Sequence, residues 1–258
     1  MASLSACASA PEPVAVPAAR VARDPAGEAL ARAERLLGDE VSYHDPARVA
    51  LALTELDEAL RIRPVFARAN GLRGFLRMLQ GRKEEALVDL DMALSGPKPE
   101  AELLRLRGSV RRELGDLDGA IADLSSALAL TPDAATFFER SLALQAKGDL
   151  GEALADASTS VQLDPKEVSP RIQRAVLWCN LGHPDLARSD LDAAVALAPA
   201  DARVWHARAL FHLRAGDPLA SVRDCEAGLA VAGADLDRAR GLQTCLDEAT
   251  EALSEKAW

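Results

Sequence analysis

The sequence predicts an all-α chain, a solenoid of about six helix-turn-helix units closed at its carboxy-terminal end by a capping helix. Three observations predict it. Glycines stand at Gly81, Gly115, Gly148, Gly182 and Gly216, spaced 34, 33, 34 and 34 residues apart. A period of this size marks stacked supersecondary units, each of which buries its apolar face only against its neighbours. Every one of these glycines has an arginine eight residues before it, an aspartate eight residues after it, and a small residue (Ala86, Ala120, Ala153, Ala187 or Ser221) five residues after it. Finally, the chain is 49% hydrophobic but only 3% aromatic, and its richness in Ala and Leu favours helices over strands.

Charge and composition exclude several classes. The 258 residues carry a formal net charge of -10, and no block of Lys or Arg interrupts that acidity, which excludes nucleic acid as a general partner. No run of about 18 apolar residues occurs, so no segment is expected to span a membrane. Cys7, Cys179, Cys225 and Cys245 lack the C-x-x-C spacing of metal or redox sites. The last three read as small packing residues, with one disulfide left open to an exported chain.

Residues 1–26 hold Pro11, Pro13, Pro17 and Pro25 among Ala, Ser and Val, a composition that sustains neither helix nor core, so a disordered tether is expected. Within it Leu4, Ser5, Ala6 and Cys7 resemble a bacterial lipobox, whose cysteine thiol receives diacylglycerol. A working signal also needs a basic segment and an apolar stretch of roughly 7 to 15 residues, and six residues precede Cys7. Two readings stand: a chance match in an Ala/Ser-rich leader, or a start at an internal Met with the true leader upstream. A lipid on Cys7 would hold the solenoid at an envelope membrane; without it a cytoplasmic location is expected.

The units follow in order. Residues 27–66 form a divergent first unit that keeps Ala52, Leu56, Ala59 and Pro64 at the distances of later ones, with a first helix near residues 28–37 and a linker over 38–45. Units are then expected at 67–100, 101–133, 134–167, 168–201 and 202–235. Seven residues before each turn glycine stands Gly74, Gly108, Ser141, Ala175 or Ala209, and twelve after it Ala93, Ala127, Ser160, Ala194 or Gly228. Small residues at these places let helices approach closely. Pro132, Pro165 and Pro199 end second helices because proline cannot donate the next backbone bond; Pro97 and Pro99 bracket that place in the first matched unit, and Gly233 occupies it in the last. Residues 236–256 carry Leu236, Leu242, Leu246, Ala249 and Leu253 at helical spacing, with Asp237, Arg240, Asp247 and Glu251 facing outward, as a solenoid cap requires. Twelve repeat helices and one cap are expected.

This pattern, clearest over residues 106–132, resembles the tetratricopeptide repeat. The resemblance implies a right-handed superhelix in which the first helix of each unit faces a concave surface. Residues 13, 10, 6 and 3 before each turn glycine share one helical face and would line the groove. Along it stand Phe75 and Met78, Arg105 and Arg112, Phe138 and Leu142, Ile172 and Val176, and Arg203, His206 and Leu210. An apolar centre with cationic ends suits a protein or peptide ligand with apolar anchors and acidic flanks, bound as a helix or an extended chain. The competing reading is that Ile172 and Val176 simply pack between helices. Chaperone-binding members of the family hold a carboxylate terminus with Lys and Asn on these helices. Six residues before the turn glycines this chain has Phe75, Ser109, Leu142, Val176 and Leu210, so no such clamp is encoded.

The most regular charges have a structural reading. Arg73 and Asp89, Arg107 and Asp123, Arg140 and Asp156, Arg174 and Asp190, and Arg208 and Asp224 are each 16 residues apart, one on each helix of a unit. A guanidinium can engage a carboxylate through two bonds, so a ladder of internal ion pairs is expected rather than an anion-binding track. No phosphate loop, nucleophile motif or metal-ligand spacing occurs. His206 and His212, six apart on a helix, face different ways, and His44 and His183 read as surface residues. Neither catalysis, cofactor nor metal is expected. The expectation is a noncatalytic protein-binding scaffold: either an envelope lipoprotein aiding assembly of an outer-membrane machine, as similar small lipoproteins of about six such repeats do, or a cytosolic adaptor or regulatory subunit with no anchor.

Overall fold

The structure, a computed structural model, describes residues 24–38, 43, 45–233 and 235–255. The lipobox-like Cys7 and His44 lie outside the described residues. Among the described residues there are thirteen helices and no strand. They pair in chain order: α1 (Pro25–Leu36) with α2 (Pro46–Ile62), α3 (Ala67–Leu79) with α4 (Lys83–Ala93), and α5 (Ala101–Glu113) with α6 (Leu117–Leu130). Next come α7 (Ala134–Lys147) with α8 (Leu150–Leu163), α9 (Ser169–Asn180) with α10 (Pro184–Leu197), α11 (Ala202–Arg214) with α12 (Pro218–Val231), and α13 (Leu236–Glu255) closes the array. Each helix packs chiefly on those before and after it, and α3, α5, α7 and α9 also lie side by side. This is an all-α helical repeat solenoid.

Local chemistry sets the helix ends. Asp24, Asp116, Asp133 and Asp217 cap α1, α6, α7 and α12, accepting from Gly27, Gly119, Thr136 and Ala220 N–H groups at 2.9 to 3.1 Å. Each carboxylate satisfies an orphan donor and lies at the positive end of the helix dipole. Second helices stop at Leu130, Leu163 and Leu197, two residues before Pro132, Pro165 and Pro199. The turn glycines hold φ between 75° and 97°. There the chain doubles back within one residue; the Asp149 N–H, just past Gly148, returns to the Leu144 carbonyl at 2.9 Å. A side chain would make that left-handed conformation costly.

Packing follows the small-residue pattern. Ala86, Ala120, Ala153, Ala187 and Ser221 are fully buried. A Cβ on Gly108 would stand 2.8 Å from Leu124 Cγ and 3.2 Å from the Ala120 carbonyl oxygen, so α5 and α6 touch backbone to side chain there. At the far end Gly228 leaves room for Leu242 of α13, whose Cδ2 would lie 2.7 Å from an added Cβ. α13 docks through Leu242, Cys245 and Ala249, and it lies against α11 as well as α12, in the place of a next first helix. Leu236, expected on that buried face, is 76% exposed: it opens the helix, a turn and a half before the first docking residue.

The arginine ladder is present at all five steps. Nε and an Nη of Arg73, Arg107, Arg140, Arg174 and Arg208 donate to both oxygens of their aspartates at 2.6 to 3.0 Å. Asp89, Asp123, Asp156, Asp190 and Asp224 are 1% to 6% exposed, so these guanidiniums are already neutralised. The arginines also reach backwards. Arg73, Arg107 and Arg208 donate to Asp57, Asp91 and Asp192 of the preceding unit at 2.7 to 2.9 Å, and Arg140 to Ser125 at 3.1 Å. The ladder therefore ties unit to unit as well as helix to helix.

Candidate functional site

The first helices converge on one concavity of about 980 Å³, lined by α7, α9 and α11 and closed at one edge by Arg238 of α13. Its floor is apolar: Phe138, Ile172, Val176, Leu210 and Phe211, with Ala175 and Ala207 between them. Residues at i, i+3, i+4 and i+7 share a helix face, so Ile172 and Val176 on α9 stand opposite His206 and Leu210 on α11. One rim, at the helix starts, carries Ser169, Arg203 and Arg238; the other, at the turns, carries Cys179, Asn180 and Arg214.

Six of the eleven groove residues expected from sequence meet here: Phe138, Ile172, Val176, Arg203, His206 and Leu210. Five do not line this concavity. Phe75 makes an edge contact with Tyr43 at 5.4 Å and, like Met78, packs on the cluster of Ala86, Leu90 and Val110. Arg105 is paired with Glu102, and Arg112 lies 3.4 Å from Glu139. Leu142 stays half-buried on α7. Charge at the amino-terminal end of the strip is thus spent within the fold.

The remaining charges are uneven. Arg203 holds Asp201 through contacts of 2.6 to 3.1 Å and depresses the Asp201 carboxyl below the usual carboxylate range. Arg238 lies 3.3 Å from Asp235 and 3.9 Å from Asp201. Burial lowers the His206 pKa, and a Cβ on Gly241 of α13 would stand 3.2 Å from His206 Cε1, so the ring is a neutral wall at pH 7 rather than a cation. Its neighbour His212 turns away, 3.7 Å from Asp224 in the ladder. Among the described residues no group of three or more His, Cys, Asp or Glu side chains is placed to hold a metal.

The sequence reading missed Arg214, Asn180 and Arg238. Arg214 was within reach: it is four residues after Leu210 and so on the same face, whereas Leu213 packs into the cluster of Ala209, Cys225 and Cys245. Nothing in the repeat spacing pointed to Arg238, which arrives from α13. Cys179, read both as a small packing residue and, three residues before Gly182, as part of the groove face, is exposed in the groove one turn beyond Val176 on the open face of α9. Partial burial raises its thiol pKa, and the charge of Arg214 draws it back. Cys225 and Cys245 are buried at the cap, and desolvation together with the adjacent Cys245 thiol pushes Cys225 up to about 12. Maleimide at neutral pH is accordingly expected to label Cys179 at least ~10-fold faster than Cys225 or Cys245, measured by peptide mass mapping over time.

Neither a family model nor a curated protein matches the sequence. Among solved structures, the chain is similar to TTC0263, a thermophilic TPR protein in Thermus thermophilus, at 23% identity over 70% of this chain and 99% of that one, with a TM-score of 0.62. It is similar to PilW, a type IV pilus biogenesis factor, at 17% identity over 87% of this chain and 100% of that one, with a TM-score of 0.71. A tetratricopeptide repeat protein from Parabacteroides merdae ATCC 43184 aligns at 16% identity over 88% of this chain and 100% of that one, with a TM-score of 0.64. The fold is TPR-like.

Proposed function

We propose that the chain is a noncatalytic scaffold that binds a segment of a partner protein in the groove across α7, α9 and α11. Val176 carries the reading: it is 37% exposed, faces the groove, and belongs to no core cluster. A valine left half open beside Phe138 and Leu210 presents apolar area for another chain to cover, at roughly 25 cal/mol per Å² removed from water. Ile172 is different, since it packs against Val168, Val204, Ala175 and Leu191 and serves the core too. A volume of about 980 Å³ lies at the upper end of ordinary binding sites and accommodates several side chains.

The partner segment has apolar anchors and an acidic flank, with no nucleic acid or cofactor involved. We extend the reading to an envelope lipoprotein that helps assemble a larger machine, tethered by a lipid on Cys7. The residues Leu4 to Cys7 and the likeness to a pilus biogenesis factor support that extension. Capture from the source cell with wild type and Val176→Asp tests the groove: a carboxylate on an apolar floor should reduce partner recovery ~10-fold or more, and equal recovery would reject the site. The intact mass of the product of the native locus tests the tether. Unmodified Cys7 would assign the scaffold to the cytosol as an adaptor or regulatory subunit.

A further inference from the structure

The protein is acidic, with a formal charge of -10, yet the concavity across α7, α9 and α11 is lined by Arg203, Arg214 and Arg238 and by no Asp or Glu. Two of those guanidiniums are answered by Asp201 and Asp235 just outside the lining. Arg214 has no carboxylate partner among the described residues. It projects from the last turn of α11 at the rim shared with Cys179 and Asn180, and its charge reaches the Cys179 sulfur. A fold that answers its other groove arginines from within, and leaves this one open beside an apolar floor, is complementary to one external anion.

Resting on the scaffold reading above, we infer that the bound protein segment places an Asp or Glu carboxylate on Arg214 and runs its apolar side chains from there over Val176 and Leu210 toward Arg203. Arg203 and Arg214 stand at opposite ends of the exposed face of α11, ~16 Å apart along the axis at ~1.5 Å per residue. An extended segment covers that length with about five residues, whose alternate side chains point to the floor. Arg214 engages the carboxylate through paired N–H donors, with the Asn180 amide on the same rim. At the other rim Arg203 is already held by Asp201 and Ser169, so a second acidic residue gains little there. The polarity of the site thus sets the acidic end of the segment at Arg214.

The probe is a phage-displayed library of random octapeptides, selected in parallel on the wild-type chain, Val176→Asp and Arg214→Glu. Arg214 is exposed, so its charge reversal leaves the fold intact, which a thermal melt verifies. Wild type is expected to enrich apolar octapeptides with Asp or Glu at one end, and those peptides to protect Cys179 from maleimide. Arg214→Glu should replace that acid by Lys or Arg, shifting the acid-to-base ratio at the position ~10-fold or more. Enrichment of apolar peptides with no end charge, or unchanged by Arg214→Glu, would overturn the carboxylate inference and leave the groove standing. Peptides retained equally by Val176→Asp, or no enrichment on wild type, would overturn both. Protection of Cys179 by a long-chain fatty acid and by no peptide would likewise remove both, making the occupant a lipid.

Discussion

Asp89→Ala should destabilise the array by about 3 to 5 kcal/mol, the largest loss expected from a single ladder residue. Asp89 is 1% exposed and receives Arg73 through two bonds and Arg77 through a third at 2.8 Å. Removing it leaves two mostly buried guanidiniums with only exposed carboxylates, Asp57 for Arg73 and Glu85 at 3.6 Å for Arg77. Removing an arginine has a graded effect. Arg73→Ala leaves Asp89 paired with Arg77, whereas Arg140→Ala leaves Asp156 with no other arginine within bonding distance among the described residues. Arg140→Ala should therefore cost more than Arg73→Ala. Denaturant titration gives the ordering, and because repeat arrays unfold by neighbouring units, hydrogen exchange should show the loss centred on the mutated pair. Equal effects of the two arginine variants would mean that the arginines act through packing rather than as counter-ions.

Gly108→Leu should cost about 3 kcal/mol or more, well above Gly108→Ala. The Cβ alone meets Leu124 at 2.8 Å, and the remaining carbons would enter the Ala120 backbone, so α5 must move off α6. Ala175 and Ala209 occupy the equivalent place in later units, buried at 1% and 0%, so helix pairs of this array accommodate one methyl group there. Circular dichroism during thermal unfolding distinguishes the two variants. Similar melting points for Leu and Ala would show that the α5–α6 contact yields more than its geometry implies.

Much of the fold was legible because a repeat keeps its contacts close in sequence. The turn glycines, the small residues on facing helices and the arginine–aspartate pairs recur at fixed offsets, and each offset corresponds to one contact. The ladder shows where legibility stops. Its forward pairs follow from the spacing of 16, but the backward bonds to Asp57, Asp91 and Asp192 depend on how one unit is rotated on the next. The cap shows the same limit: its helical period was visible, while Leu236 proved exposed and Cys245 docked.

The groove was half legible for an electrostatic reason. Helical spacing identifies residues that share a face, and of the expected strip Phe138, Ile172, Val176, Arg203, His206 and Leu210 line the concavity. It could not say which charges remain free, because part of the pairing is made between units: Glu139 answers Arg112 from the next first helix, and Arg238 enters from α13. An all-α solenoid, its period, its turns and its internal ion pairs could all be read from the chain alone, since each is a consequence of short-range geometry repeated along it. That the concavity lies in the carboxy-terminal half, and that Arg214 is its unanswered cation, emerged with the folded array, because burial and charge pairing depend on which helices the superhelix brings side by side.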